Sequence, residues 1–168
     1  MEAESMTKLE MSYSRGATDT PLIEETIGAF FDAMIERFPD KEAVVSCHQG
    51  IRYTYLELQR EVDRMASALL RAGLKPGDRI GIWSHNNVEW LVTQFATAKA
   101  GVILVNINPA YRVAELEYAL NKVECKALIV MPSFKTTDYL EMIRSIAPEV
   151  SGAVPGRLEC AKLPSLKT

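Results

Sequence analysis

Cysteine and histidine are scarce in this chain of 168 residues, which has three cysteines and two histidines. Cys47, Cys125 and Cys160 are odd in number and far apart, which argues against a disulfide framework and fits reduced thiols in a cytosolic setting. We expect Cys47 and Cys125, which flank strand-like segments, to behave as small buried apolar residues. Because neither His48 nor His85 stands in a metal-ligand pattern, the sequence predicts no metal site.

The glycine-rich loops that bind nucleotide phosphates are also missing. The sequence contains neither G-x-G-x-x-G nor G-x-x-x-x-G-K-[ST]. Gly73, Gly77 and Gly81 are evenly spaced, but they flank the end of one predicted helix and the start of one strand, so we interpret them as structural. No G-x-S-x-G elbow is present either. These absences make a stand-alone dinucleotide-binding protein a poor hypothesis.

Strong charge and long apolar runs are lacking as well. The net charge of −3 argues against a general nucleic-acid binder. No apolar run is long enough to cross a bilayer, so we expect no transmembrane segment. The first ten residues carry Glu2, Glu4 and Glu10 against Lys8, unlike a mitochondrial presequence or a signal peptide. The sequence therefore favours the cytoplasm, with the mitochondrial matrix as the alternative if translation starts upstream.

Strands and helices alternate through the middle of the chain. Apolar runs at 79–83, 102–105 and 127–130 are typical of strands in a parallel sheet that is covered on both faces. Two shorter runs, 43–45 and 52–54, predict a hairpin whose turn contains His48 as a solvated residue. The fold class is therefore α/β, with a mostly parallel sheet flanked by helices.

Capping residues mark where the predicted helices begin. Thr26, Asn87 and Thr137 are each placed to cap a helix, and Thr54 with Glu57 forms a capping box. Two glycines follow helix ends: Gly73 after the second helix and Gly101 before the 102–105 strand.

The strand end at 106–109, Asn-Ile-Asn-Pro, has two readings. Ligands of open α/β sheets bind at such ends. We favour a corner in which Asn106 and Asn108 bond the local backbone and Pro109 fixes the turn, although the strand end could still border a pocket. His85 follows a parallel strand, where contact with a ligand or an opposing domain is one option and an ordinary loop role is the other.

Three sections are predicted along the chain. Residues 1–21 are polar and aperiodic and form a flexible N-terminal arm, and residues 22–150 form an α/β subdomain. Residues 151–168 are turn-rich and are expected to be a linker or a truncated continuation.

Four segments in order resemble the AMP-forming acyl-CoA synthetases of the adenylate-forming superfamily. They are SRGATDTPLIEETIGAFFDAMIERFPDKEAVV, RYTYLELQREVDRMASALLRAGLKPGDRIGIW, NNVEWLVTQFATAKAGVILVNINPAYRVAELEYALNKVECKALIV and FKTTDYLEMIRSIAPEV. Within the family, the resemblance is greatest to the medium-chain fatty-acyl-CoA ligase branch, in the three short segments HQGIRYTY, GIWSHNN and NINPAYR. The resemblance covers only the N-terminal part of that family.

This resemblance implies an enzyme that joins a fatty acid to CoA through an acyl-adenylate, using ATP and Mg²⁺ and releasing AMP and pyrophosphate. The family's phosphate loop, its adenine- and ribose-binding motifs and its C-terminal lysine have no counterpart here. We therefore assign no catalytic, cofactor-binding or metal residue, and expect this chain to be inactive and to bind ATP, Mg²⁺ and CoA poorly. The alternative is a non-catalytic binding or interaction module derived from such a ligase. In either case an open sheet edge could allow self-association.

Overall fold

The computed structural model describes Ser12, residues 14–154 and residues 156–168. The helices are α1 (Ile27–Arg37), α2 (Tyr55–Arg71), α3 (Val88–Ala100), α4 (Val113–Lys122) and α5 (Tyr139–Ile146), followed by a 3₁₀ turn, Pro148–Gly152. The strands are β1 (Glu42–Ser46), β2 (Ile51–Thr54), β3 (Arg79–Trp83), β4 (Ile103–Ile107), β5 (Ala127–Val130), β6 (Ser133–Phe134) and β7 (Thr137–Asp138). The predicted arm, 1–21, lies mostly outside the described residues.

A parallel sheet of three strands in the order β4-β3-β5 forms the centre of the fold. The predicted parallel α/β sheet is thus confirmed, with β3 as its middle strand. Gly81 of β3 lies beside Val105 of β4 and Leu128 of β5. The predicted hairpin is also confirmed, because β1 and β2 pair antiparallel across residues 47–50.

Helices cover both faces of the sheet, as its apolar strands require. On one face α1, α2 and α3 pack over a core that contains Phe31, Ile35, Leu58, Val62, Ile80, Ala96 and Val102. On the other face α4, α5 and the C-terminal segment pack over Trp83, Ile107, Leu116, Leu120, Tyr139, Ile143 and Ile146. Because side chains alternate along a strand, Ile80 and Trp83 of β3 belong to different cores.

Four of the five helices begin at a side-chain cap. Thr26 and Asn87 accept hydrogen bonds from Ala29 N and Trp90 N, as predicted. The Thr54–Glu57 capping box is also present, with both bonds formed. The prediction for α5 is wrong by one residue. Asp138 accepts from Glu141 N at 2.9 Å, whereas the neighbouring threonine pairs with Phe134 in the β6–β7 ribbon. The ribbon also includes Asp138, which pairs with Ser133, so both residues stay extended and the helix begins only at Tyr139. The side chain directly before it, that of Asp138, therefore stands at the cap.

Charged groups join the amino ends of the central strands. Asp78, which is buried just before β3, accepts hydrogen bonds from Lys126 Nζ at 2.6 Å and Lys75 N at 2.9 Å. These donors, Lys126 first, lower the pKa of the Asp78 carboxyl. Arg79 donates to Val123 O at 2.7 Å and to Glu124 Oε2 at 2.7 Å. The end of α4 is thereby fixed to the start of β3.

The C-terminal segment, 156–168, packs along β5 and has no regular helix or strand. Its buried side chains are Leu158, Cys160, Leu163 and Leu166. Lys167 N donates to Lys126 O at 2.8 Å, and Leu128 N donates to Thr168 O at 3.0 Å. The division of the chain into three sections stays a prediction. Within the described residues, no helix combines the length and the apolarity needed to span a bilayer.

Candidate functional site

The strand order creates a crevice between the carboxyl ends of β3 and β5. From β3 the chain enters α3 on one face of the sheet, and from β5 it continues to α5 on the other face. Ligands of open α/β sheets bind where neighbouring strands diverge in this way. A cleft of about 380 Å³ lies at this point. It is lined by His48, Gln49, Ile82, Ser84, His85, Asn87, Glu89, Ile129, Val130, Met131 and Pro132.

A short loop after β3 presents His85 to the cleft. Ser84 Oγ donates to His85 O at 2.9 Å and accepts from Asn87 Nδ2 at 2.9 Å. Asn87 Oδ1 in turn caps α3 by accepting from Trp90 N at 2.8 Å. The loop is thus fixed to the helix that follows it, so the His85 backbone is held by local hydrogen bonds.

The His85 ring is enclosed by apolar groups from beyond β5. Its Nδ1 lies 2.9 Å from Met131 Sδ. The ring also stacks on Phe134, with 4.5 Å between centroids. The structure thus places His85 in the lining of the cleft, and the choice between its two readings stays a prediction.

The hairpin turn brings the second histidine to the same cleft. His48 is exposed in the β1–β2 turn, as predicted, and its ring centroid lies 5.9 Å from that of His85. Gln49 holds the turn in place, because Oε1 accepts from Val88 N at 2.9 Å and Nε2 donates to Glu89 Oε2 at 2.8 Å. Sequence reasoning treated the two histidines separately and missed Gln49 and Met131, since no local pattern marks either residue.

The serines beside these histidines are not placed as activated nucleophiles. Ser46 Oγ lies 3.4 Å from His48 Nδ1, but its hydrogen is donated to Gln49 Oε1 at 2.7 Å. Ser84 donates to the His85 carbonyl. A nucleophile must give its proton to the base, and both hydroxyls are committed elsewhere.

The end of β4 is a corner, as predicted. Asn108 Oδ1 accepts from Ala110 N at 2.9 Å, and its carbonyl accepts from Trp83 Nε1 at 3.0 Å. The Pro109 carbonyl accepts from Tyr139 Oη at 3.0 Å. For Asn106 the prediction is wrong: its exposed side chain lines a groove on α4, and it makes no hydrogen bond within the part of the chain that the structure describes.

The three cysteines are unpaired, and they differ in exposure. Cys125 and Cys160 are buried, and burial raises the pKa of the Cys125 thiol to about 11. Cys47 is exposed in the hairpin turn, so the prediction that it is buried is wrong. Among the described residues, no group of three or more His, Cys, Asp or Glu side chains is placed to hold a metal ion.

Comparison with known proteins agrees with the α/β architecture. The N-terminal domain of FACL13 from Mycobacterium tuberculosis superposes with a TM-score of 0.69 over 80% of this chain and 33% of that one, at 24% identity. A Mycobacterium tuberculosis fatty acyl CoA synthetase gives 0.68 over 80% of this chain and 25% of that one, at 25% identity. The sheet and its two helical layers therefore match an N-terminal domain of known structure.

Sequence comparison gives a narrower relationship. Medium-chain acyl-CoA ligase ACSF2, mitochondrial, from Rattus norvegicus is 46% identical over 158 residues, which are 94% of this chain and 26% of that protein. The putative acyl-CoA synthetase YngI of Bacillus subtilis (strain 168) is 41% identical over 88% of this chain and 27% of its own length. The chain thus spans about a quarter of the length of these relatives. Because the profile of the AMP-binding enzyme family matches residues 31–165, the chain belongs to that family and is related to the N-terminal portion of acyl-CoA ligases.

Proposed function

We propose that this chain is the N-terminal part of a medium-chain fatty-acyl-CoA ligase. Such an enzyme converts a fatty acid, ATP and CoA into acyl-CoA, AMP and pyrophosphate through an acyl-adenylate. The observation that carries the proposal is the 46% identity to a medium-chain acyl-CoA ligase over 94% of the chain. The comparisons do not favour the alternative of a non-catalytic module.

Within such a ligase, the chain supplies scaffold rather than reacting groups. Adenylation needs preorganised amides, a cation and a metal ion around the reacting phosphate. Two observations support this proposal: no group of three His, Cys, Asp or Glu side chains that could hold a metal ion is present among the described residues, and the sequence has no glycine-rich phosphate loop. We therefore infer that the chain alone does not adenylate fatty acids and that it binds ATP and CoA weakly.

The first test is pyrophosphate exchange by the purified chain. With decanoate, ATP and Mg²⁺, we expect no acid-dependent exchange above a buffer blank. Exchange that co-purifies with the chain and requires the acid would contradict the inference that the reacting groups lie elsewhere.

The second test is a chimera. The chain replaces the matching portion of the rat relative, and decanoyl-CoA formation is measured. We expect a soluble, active chimera, because the two sequences share a fold and nearly half of their residues. A chimera carrying Gly81→Val is the matched control; it is expected to lose activity through misfolding, since a side chain at this glycine meets the core. A folded but inactive parent chimera would overturn the proposal.

Two cellular locations are supported, each by a different observation. The acidic amino terminus favours the cytoplasm, whereas the name of the rat relative, which includes the word mitochondrial, supports the alternative. Expression from the intact gene, with its own translation start and a carboxyl-terminal tag, distinguishes the two, with co-fractionation with mitochondria and protection from added protease as the readout.

A further inference from the structure

Two imidazole rings and one thioether come together in the cleft between β3 and β5. His48 belongs to the hairpin turn, His85 to the loop after β3, and Met131 to the residues directly after β5. All three line the cavity of about 380 Å³. The two ring centroids are 5.9 Å apart, and Met131 Sδ lies 2.9 Å from His85 Nδ1. Three separate segments thus each contribute one side chain that can ligate a metal.

The hydrogen bonds around these groups leave ligand atoms for a metal. His85 N donates to Met131 Sδ at 3.4 Å, which fixes the thioether beside the imidazole ring. Sulfur is a weak acceptor, and a thioether has a second lone pair. His48 Nδ1 faces Ser46 Oγ at 3.4 Å, so Nε2 is the nitrogen that remains for another contact. Because His48 is exposed in its turn, its ring can adjust to a shared ion.

We propose that His48, His85 and Met131 bind one copper(I) ion. Thioether ligands select Cu(I), and imidazole also suits copper. Hard cations such as Mg²⁺ and Ca²⁺ need oxygen ligands, and structural zinc is held by four ligands drawn from thiolates, imidazoles and carboxylates. A set of two nitrogens and one thioether sulfur therefore fits monovalent copper better than any of these ions.

The surroundings of the three side chains fit a monovalent cation. Phe134 stacks on the His85 ring, and Ile129 lines the same cleft, so apolar groups restrict the approach of water. The Glu89 carboxylate also lines the cleft, where it accepts from Gln49 Nε2 at 2.8 Å and opposes the positive charge. All three ligands belong to the described part of this chain, and the inference does not depend on the proposed function.

The test is competition between the chain and the chelator ferrozine for Cu(I), without oxygen. Cys47 is exposed beside His48, so the measurement uses the Cys47→Ser chain, in which this accessible thiol cannot take the metal. We expect that chain to withdraw one equivalent of Cu(I) from the coloured ferrozine complex. X-ray absorption at the copper edge should then show two nitrogen neighbours and one sulfur neighbour.

Single substitutions in the Cys47→Ser chain identify the ligands. Met131→Leu removes the sulfur at nearly constant volume, and His48→Ala removes an exposed ring. Each should weaken Cu(I) binding by at least about tenfold, since losing a group that only orients a ligand already costs that much. Met142→Leu is the matched control, because Met142 is a half-buried methionine of the same core as Met131 and lies outside the cleft. Its affinity for Cu(I) should equal that of the Cys47→Ser chain.

Three results would overturn the proposal, with circular dichroism showing that each chain is folded. The first is a Cys47→Ser chain that takes no copper from ferrozine, which would leave the Met131 contact as packing or a hydrogen bond to sulfur. The second is copper binding that survives both Met131→Leu and His48→Ala. The third is an equal loss in Met142→Leu, because the copper would then be held elsewhere.

Discussion

Gly81, at the centre of β3, is the position where one added methyl group has the most to displace. A Cβ placed there lies 2.8 Å from Ile107 Cδ1 and 2.9 Å from Leu128 Cδ1, with Cys125 Sγ at 3.4 Å. Carbon atoms in contact are normally about 3.5–4.0 Å apart. Both methyl groups are the ends of side chains packed in the same core, so each can turn aside only by displacing its own core neighbours.

The change in the free energy of unfolding is the difference between two opposing contributions. Overpacking a well-packed core costs about 1–3 kcal/mol. Replacing a strand glycine by alanine returns about 0.5–1 kcal/mol through backbone entropy. We therefore expect Gly81→Ala to lower the free energy of unfolding by about 1–2 kcal/mol and Gly81→Val by about 3 kcal/mol. For a chain of this length, 1 kcal/mol corresponds to a fall in Tm of about 2–4 °C.

Urea and thermal unfolding of the 168-residue chain, followed by circular dichroism, measure both changes. Gly152→Ala is the control, because no heavy atom lies within 4 Å of a Cβ at that glycine, and its Tm should match that of the parent. A Gly81→Ala variant as stable as the parent, or more stable, would refute the reasoning. It would mean that the two methyl groups rearrange at no cost.

Three further predictions concern a cap, a carboxylate and the thiols. Thr54→Ala removes one half of the capping box and should cost about 1 kcal/mol in urea unfolding, whereas Thr54→Ser should cost less. The pKa of Asp78 is lower in the folded chain than in the unfolded one. Its contribution to stability is therefore complete above the ordinary carboxyl pKa of about 4 and is lost as the pH falls below it, so Asp78→Asn should flatten the acid side of the stability profile. In the native chain Cys47 should react with a thiol reagent at mildly alkaline pH while Cys125 does not, because burial raises the pKa of Cys125 to about 11. Denaturant should expose all three thiols; a fast reaction of Cys125 in the folded state would contradict its burial.

The sheet could be predicted from sequence because its signals are local. The central strands are mostly apolar, and α3, which follows β3, begins at its own side-chain cap, Asn87. Thr54 and Glu57 satisfy each other's neighbouring amides without help from the rest of the fold. Such elements are specified by a few adjacent residues, so their positions agree with the structure.

The cleft could not be predicted in the same way. His48 and His85 lie on different elements, and they meet because Gln49 joins the hairpin turn to the start of α3. The start of α5 was predicted one residue too early for a related reason. Pairing with Ser133 and Phe134 keeps both Asp138 and Thr137 extended, so the helix begins at Tyr139 and Asp138 is its cap. Each outcome depends on a contact between segments that the pattern along the chain does not record.

The order β4-β3-β5 also sets a sequence of events on the ribosome. As the nascent chain emerges, α1, α2, α3, β3 and β4 can bury most of one side of the sheet before residue 113 leaves the exit tunnel. Trp83 and Ile107 stay uncovered until α4, α5 and the following segment fold over them. Until then the Trp83 ring and the uncovered face of β4 are exposed to chaperones and to other chains. Slowing translation after residue 112 has left the exit tunnel, and before α4 leaves it, should therefore lengthen the period in which the nascent chain is prone to aggregate.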